Sequence, residues 1–166
     1  MINGEKILRE RYSELNENQY QPAGIDLRLG RVFELDETKL RGIFDGTKLN
    51  SELKEIKPGL QSSLDGKSFN GWLFEPNKPY IVEVENKIEI SKDSAQFYLP
   101  RSTLLRNGVT IETALGDPGY KGHLRFLLVN HRGNGYFLEK GERFAQLIDI
   151  QVKDSITEYD GDYQED

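Results

Sequence analysis

The pattern of apolar and polar positions along the chain predicts many short β-strands and few helices. Apolar and charged residues alternate over Ile25–Leu29, Gly30 interrupts the alternation, and Val32–Leu35 resumes it. Further strands are predicted at 72–74, 80–85, 87–90, 95–99, 109–114, 124–130, 136–138 and 144–152. Asn86 is expected to form a turn between two of them, and Asn134-Gly135 is typical of a hairpin. This set favours an all-β barrel or jelly-roll-like fold.

One amphipathic helix is predicted near the start of the chain, over residues 3–12. Asn3 is suited to cap it, and Ile7, Leu8 and Tyr12 fall near one face of the helix. The side chains on that face are therefore expected to pack against the β-strands.

The middle of the chain has two further features. Leu104–Asn107 has the pattern of one helical turn, and Gly108 is suited to end it in a left-handed conformation. Residues 36–71 contain several glycines and little periodicity, so we expect a long irregular excursion with one short helix at 51–56.

The composition excludes several kinds of site and location. The 166 residues form one domain and contain no Cys, which excludes a disulfide scaffold, a thiolate nucleophile and a Cys-ligated zinc. Two His residues are too few for a histidine metal cluster. The longest unbroken aliphatic or aromatic run is Phe126–Val129, so no membrane span is predicted. The first residues lack an apolar signal region, and a cytoplasmic location is expected.

The net charge of −6 is unevenly distributed. Residues 154–166 hold six acids and no base, whereas the rest of the chain holds 22 acids and 22 bases. A neutral body argues against a general nucleic-acid binder but leaves room for one small anionic ligand. We therefore expect a single domain over residues 1–153 and an acidic C-terminal tail over 154–166, partly disordered at its last residues.

A first candidate for chemistry lies at the start of the short helical turn. Arg101, Ser102, Thr103 and Arg106 would present guanidinium groups, hydroxyls and free backbone N–H groups, which suit an oligophosphate. An ordinary N-cap with surface arginines is the alternative, and the spacing alone favours it.

A second candidate is the Pro-Gly turn that follows Asp117. Asp117 either simply forms this turn or is a carboxylate held at a strand end, where it can polarise a water molecule. Tyr120 either packs on a flat ring or fills an edge of the core.

Two polar residues occur within predicted strands. Gln146 stands where an apolar residue is expected on the inward face, so its amide is either a structural hydrogen-bonding group or a ligand contact. Asp26 lies between Ile25 and Leu27 and raises the same question, with a solvent-facing carboxylate as the alternative.

Four segments, in this order, resemble the dUTPase and dCTP deaminase superfamily of trimeric nucleotide enzymes. They are Tyr20–Gly30, Leu99–Gly108, Gly116–Gly122 and Glu139–Leu147. The first two look more like the deaminase branch, and the segment ending at Leu147 looks more like the dUTPase branch. The resemblance implies a distorted jelly-roll β-barrel, a homotrimer, and active sites at the subunit interfaces.

The resemblance also implies roles for individual residues. Asp117 would orient the attacking water, Tyr120 would lie against the deoxyribose, and Asp26 would join an interface network near the phosphates. The hairpin over 109–120 would recognise the pyrimidine through its backbone. The triphosphate would be bound by residues from two subunits: Arg101, Ser102 and Arg106 from one chain and Gln146 from its neighbour.

The end of the chain only partly matches the family. Tyr163-Gln164 matches a Tyr-Gln pair of deaminase-type tails, but Asp160 stands where those tails tend to have a basic residue. In similar deaminases a glutamate lies ten residues after the Asp of the turn, and here that position is Leu127. Glu112 is the remaining candidate for its role.

The function implied by the resemblance is hydrolysis of dUTP to dUMP and pyrophosphate. Mg²⁺ would be held mainly by the triphosphate and water, because the sequence suggests no carboxylate cage. The alternatives are dCTP deamination, alone or with diphosphate release, and a catalytically silent nucleotide-binding regulatory relative.

Overall fold

The computed structural model describes residues 1–62, 65–154 and 157–164, and most of its regular structure is β-strand. The all-β class predicted from the sequence is confirmed. In chain order, the elements are α1 (Glu5–Arg11), a 3₁₀ turn (Glu17–Gln19), β1 (Tyr20–Gln21), β2 (Gly24–Leu35), β3 (Gly42–Phe44), β4 (Thr47–Leu49), β5 (Leu53–Ile56), β6 (Gly59–Ser62), β7 (Ser68–Phe74), β8 (Pro79–Glu89), β9 (Ser94–Pro100), α2 (Ser102–Arg106), β10 (Val109–Glu112), β11 (Lys121–Asn130), β12 (Tyr136–Glu139) and β13 (Arg143–Gln151).

The main sheet is antiparallel and curls into a nearly closed barrel. Its strand order is β10-β11-β8-β2-β13-β9, and β1 and β5 each also pair with β2. The two ends of this order meet where Gln96 on β9 pairs with Gly116, just beyond β10. A second sheet has the order β12-β7-β6, and β3 and β4 form a separate hairpin. The sheet path therefore brings the loop after β10 against β9.

The core lies between the main sheet and the smaller one. Residues of β11 alternate strictly between buried and half-buried, so Phe126 and Leu128 point inward. Trp72 and Phe74 from β7 pack into the same apolar cluster, together with Leu8 of α1. Burial of these large apolar side chains is the main contribution to the stability of the fold.

Residues 36–71 are more regular than the sequence suggested. The predicted helix at 51–56 is wrong, because β5 occupies Leu53–Ile56 and pairs with β2 in the register Val32↔Ile56. The backbone N–H and C=O groups of β5 therefore form hydrogen bonds to β2 rather than within a helix.

The predicted turn at Asn86 is also wrong, since β8 runs through it. The ladder between β8 and β11 shifts register between His123 and Arg125, so the chain bulges near Asn86 instead of reversing. Gly30 likewise lies at a register shift inside β2 rather than at a break between two strands. A Cβ there would come 2.7 Å from Glu85 Cα, which explains why the position is glycine.

Two further local predictions need correction. Asn134-Gly135 does not join a hairpin of adjacent strands, because β12 pairs with β7 instead of β11. Asn3 does not cap α1, which begins after Gly4, because the Asn3 amide donates to the Asp149 carboxylate. Ile7, expected on the packed face, is 40% exposed.

The end of the second helix follows the prediction. Gly108 adopts a φ of +70° directly after α2, where a left-handed residue was expected. In the part of the chain that the structure describes, no helix has both the length and the apolar character needed to cross a bilayer.

Candidate active site

Asp117 begins a tight turn that fixes its backbone. The Tyr120 N–H donates to the Asp117 carbonyl oxygen over 3.2 Å, and Gly119 has a φ of +85°. Pro at the second and Gly at the third position of such a turn are typical of type II. The turn is tied to the end of β8 by Ile90, whose N–H donates to the Tyr120 carbonyl over 2.8 Å. Asp117 is therefore carried by a rigid strand connection.

Asp117 lines a cavity of about 540 Å³ beside this turn, which we call the Asp117 cavity. Tyr120 and Tyr163, two of the residues singled out in the sequence, also line it. Other walls come from the loop 114–116, from β11 and from the excursion, through Leu53. The cavity is large enough for a small ligand and combines apolar walls with a carboxylate.

The C-terminal tail closes one side of this cavity. The Gln164 side chain donates to the Gly119 carbonyl over 3.2 Å and accepts from the Lys121 N–H over 3.1 Å. Tyr159 packs edge-on against Tyr120, with ring centroids 5.5 Å apart. The predicted tail residues Tyr163 and Gln164 thus lie at the Asp117 turn, while the predicted disorder of the last residues concerns Glu165 and Asp166, which lie outside the described residues.

The excursion holds the tail from the opposite side. Asn50 donates to the Tyr163 hydroxyl over 3.0 Å, and Lys48 Nζ lies 2.6 Å from an Asp162 carboxylate oxygen. This ion pair raises the pKa of Lys48 above its ordinary value. Residues 47–53 therefore hold the C-terminal tail beside the Asp117 cavity, and this is what the excursion does near the site.

A second group of polar residues lies where β2 and β13 meet the start of α2. Asp26 is 3% exposed, and its carboxylate lies 3.2 Å from Arg143 Nη1 and 3.4 Å from Arg101 Nε. We call these three residues the Asp26 cluster. Burial raises the pKa of Asp26, and the two guanidinium groups lower it by less.

The rest of α2 is open to solvent. Ser102, Thr103 and Arg106 are exposed, and Leu104 is the residue that anchors the helix in the core. Such an arrangement leaves hydroxyl and guanidinium groups available to an anion next to the Asp26 cluster.

The prediction that Gln146 faces inward is wrong. Phe144 is buried, and counting by twos from it would put Gln146 on the inner face, but the register shifts between Arg143 and Ala145 and reverses the alternation. Gln146 is half-buried on the outer face, opposite Asp26 on one side and Leu99 on the other. It therefore belongs with the Asp26 cluster and not with the core.

The structure does not bring all the predicted site residues together within one chain. Among the residues that the structure describes, those lining the Asp117 cavity include Asp117, Tyr120 and Tyr163. Arg101, Ser102, Thr103, Arg106, Gln146 and Asp26 do not line it. A single chain thus carries the candidate residues in two separate groups, one at the Asp117 cavity and one at the Asp26 cluster and α2, which we call the two half-sites.

Sequence reasoning missed several residues of the cavity. Tyr98, His123 and Arg125 line it, and Arg125 Nε donates to Glu83 over 2.8 Å. Glu83 is 2% exposed and also binds Arg31 over 2.6 Å. The alternation of polar and apolar residues along β11 was the available signal, since it puts His123 and Arg125 on the same face.

Glu112 is placed more specifically than the sequence allowed. It lies directly opposite Leu127 in the antiparallel pair of β10 and β11. Neither residue is among the described residues that line the Asp117 cavity.

The donor set for a metal is sparse. Within residues 1–62, 65–154 and 157–164, no three His, Asp or Glu residues converge in a way that could hold a metal ion. A divalent cation that takes most of its oxygen ligands from a triphosphate and water fits this donor set.

The chain is similar to several known proteins. The model of a family described as dCTP deaminase-like matches residues 2–151. A protein of Methanopyrus kandleri named "Probable deoxyuridine 5'-triphosphate nucleotidohydrolase" is 43% identical over 98% of this chain and 99% of its own length. The "Deoxyuridine 5'-triphosphate nucleotidohydrolase" of Methanocaldococcus jannaschii is 30% identical over 99% of both chains.

A solved structure shares the fold. The 2'-deoxycytidine 5'-triphosphate deaminase from Agrobacterium tumefaciens superposes with a TM-score of 0.63 at 20% identity, over 89% of this chain. This chain spans about half of that protein, 47% of its length.

Proposed function

The chain belongs to the dCTP deaminase-like family, and we propose that it hydrolyses dUTP to dUMP and pyrophosphate. The observation that carries this proposal is its 43% identity, over nearly the whole length of both chains, to a relative named as a nucleotidohydrolase of deoxyuridine triphosphate. The position of Asp117, on a backbone-fixed turn in the wall of a ligand-sized cavity, supports it.

In this proposal Asp117 acts on water. Its carboxylate orients a water molecule and takes its proton as the oxygen attacks the α-phosphorus. The bond from that phosphorus to the bridging oxygen breaks, and pyrophosphate leaves. Tyr120, beside the same turn, lies against the deoxyribose, and the hairpin backbone over 109–120 recognises the base.

The phosphate chain is assigned to the other half-site. Arg101 and Arg106 neutralise its charge, Ser102 and Thr103 add hydroxyl donors, and Gln146 contributes its amide. The charge-paired but solvent-accessible guanidinium groups of the Asp26 cluster support this assignment.

We propose a homotrimer in which each site combines half-sites of different subunits. Two observations support it. The phosphate-binding candidates do not line the Asp117 cavity of their own chain, as far as the described residues show. On the same outer face as Gln146, Phe97 and Leu99 are each 50% exposed, an apolar surface suited to contact with another copy.

We also propose that Mg²⁺ is required and that the enzyme works in the cytoplasm. The cation supplies charge neutralisation on the phosphoryl oxygens when bound. Its ligands would be those oxygens and water.

We do not propose that this protein deaminates dCTP. Removing the amino group of cytosine needs a group that moves protons beside the ring, and Leu127 cannot do so. Glu112, opposite Leu127, is exposed and lies away from the described lining of the cavity.

One assay tests the reaction. The protein is incubated with Mg²⁺ and either dUTP or dCTP, and pyrophosphate and uracil nucleotides are measured by phosphate detection and chromatography. We expect dUMP and pyrophosphate from dUTP and no uracil nucleotide from dCTP. Stable dUTP would refute the proposal, uracil formed from dCTP would establish deamination, and full activity in excess chelator would refute the metal requirement.

A further inference from the structure

A buried polar network lies beneath the Asp117 turn and takes no part in the proposed chemistry. Its anchor is Asp149 on β13, which is fully buried. The carboxylate accepts hydrogen bonds from Tyr12 over 3.0 Å and from Ser94 over 2.9 Å, and it also accepts from the Asn3 amide. Arg11 Nη1 lies 3.2 Å away. The carboxylate is thereby satisfied by donors from α1 and the residues on either side of it, and from β9.

The network continues from Tyr12 towards the cavity. Gln96, also fully buried, donates from its amide nitrogen to the Tyr12 hydroxyl over 2.5 Å. Tyr98 donates from its hydroxyl to the Gln96 amide oxygen over 2.8 Å. Burial raises the pKa of both tyrosines, so both keep their protons at neutral pH.

The direction of every bond in this chain follows from its anchor. The Asp149 carboxylate accepts from the Tyr12 hydroxyl, and that hydroxyl in turn accepts from the Gln96 amide nitrogen. The Gln96 amide oxygen is then turned towards Tyr98, whose hydroxyl must donate to it. The side chain of Gln96 therefore has one orientation, whereas an isolated buried amide could adopt either of two.

The far end of the network touches the residue before Asp117. Gln96 and Gly116 exchange two backbone hydrogen bonds of 2.9 Å each. A Cβ at Gly116 would collide with the Tyr98 hydroxyl, so the hydroxyl lies directly against the Gly116 backbone. Tyr98 also lines the Asp117 cavity.

We propose that Gln96 and Tyr98 are positioning residues for Asp117, with Asp149 fixing their orientation. This inference rests on the proposed function, in which Asp117 orients the attacking water. Tyr98 supports the Gly116 backbone from below, and Gln96 holds both the Tyr98 hydroxyl and the Gly116 peptide groups. Misplacing a reacting group by about 1 Å can cost on the order of 10²-fold in rate.

The first test is Tyr98→Phe, with Tyr80→Phe as its matched control. Tyr80 is 3% exposed, and its hydroxyl accepts from the Glu75 N–H over 3.2 Å, remote from the turn. Both changes remove one buried hydroxyl. We expect Tyr98→Phe to lower kcat for dUTP about tenfold or more with little change in KM, and Tyr80→Phe to leave both unchanged.

A double-mutant cycle separates positioning from general support of the fold. If Tyr98 acts through Asp117, Tyr98→Phe should have no further effect on kcat in the Asp117→Asn background. Equal effects of Tyr98→Phe in both backgrounds would overturn the inference, as would a Tyr98→Phe enzyme with wild-type kcat. Should Tyr98→Phe fail to fold, Tyr12→Phe breaks the network one step further away and is tested in the same cycle. A wild-type protein that leaves dUTP intact would instead refute the proposed function.

Discussion

The two half-sites differ in how completely one chain builds them. The Asp117 cavity is lined by the Asp117 turn, by β11 and by the C-terminal tail, which Gln164 binds to the same turn. At the Asp26 cluster the carboxylate is buried, but the exposed residues of α2 beside it contact solvent. In the proposed function, the first half-site governs the chemical step, and the second binds substrate and depends on the neighbouring subunit. Substitutions that change kcat and KM separately test this difference between the two half-sites.

The largest effect is expected from Asp117→Asn. The substitution keeps the shape of the side chain and the turn but removes the carboxylate that takes the proton from water. We expect kcat for dUTP to fall by on the order of 10²–10⁴, with KM changed far less. Steady-state kinetics with the purified protein measures both constants. Near wild-type turnover in a folded variant would remove Asp117 from the mechanism.

The opposite kinetic pattern is expected from the other half-site. Arg101→Ala or Arg106→Ala removes a charged donor from the triphosphate, and KM should rise about tenfold or more, because such bonds contribute about 1.5–3 kcal/mol. Arg132→Ala serves as the control, since Arg132 contacts Asn107 at the end of α2 and belongs to neither half-site. Unaltered KM in both arginine variants would refute the phosphate assignment.

The sequence predicts the features that depend on neighbouring residues, and it misses those that depend on pairing between strands distant in the chain. Strands whose sidedness is set by local alternation, such as β11, were predicted close to their true bounds. β5 was mistaken for a helix because its pairing with β2 links residues about twenty positions apart, which no local pattern encodes. β12 was predicted as a strand at 136–138, but its partner was not, because it pairs with β7 about sixty positions earlier in the chain.

The residues of the candidate site divide in the same way, into those set by local sequence and those set by strand pairing. Asp117 could be found because its turn is encoded by Pro118 and Gly119. Gln146 was assigned to the wrong face because a register shift inside β13 reverses the alternation. Counting by twos from Phe144 would put Asp149 on the outer face, but it shares the inner face with Leu147. Bulges depend on neighbouring strands and leave little trace in the sequence.

The trimer prediction tests whether the two halves of a site come from different subunits. Asp117→Asn chains and Gln146→Ala chains, each inactive alone, are unfolded, mixed in equal amounts and refolded together. Random assembly leaves about a quarter of the sites with both residues intact, so activity should recover to about a quarter of wild type. A mixture of Asp117→Asn with Asp117→Ala chains should remain inactive. No recovery in the first mixture would contradict subunit sharing.

The smallest expected effect is a change in the stability of the protein through the Asp26 cluster. Burial raises the pKa of Asp26 in the folded protein, despite Arg101 and Arg143. A folded state that holds this proton more tightly than the unfolded chain is stabilised below the ordinary carboxyl pKa of about 3.9, and it loses that contribution as pH rises through the folded pKa. Asn cannot titrate. Asp26→Asn should therefore gain stability relative to wild type as the pH rises from acid to neutral.

Asp36→Asn provides a control of opposite sign. Hydrogen bonds from Thr38 lower the pKa of Asp36, so its contribution to stability is present above the ordinary carboxyl pKa and is lost as pH falls. Asp36→Asn should thus lose stability relative to wild type over the same rise in pH. Urea unfolding at fixed protein concentration and several pH values measures both differences. If Asp26→Asn follows the sign of Asp36→Asn, the guanidinium pairing outweighs burial, and the Asp26 cluster is a stabilising ion pair rather than a charge retained for substrate.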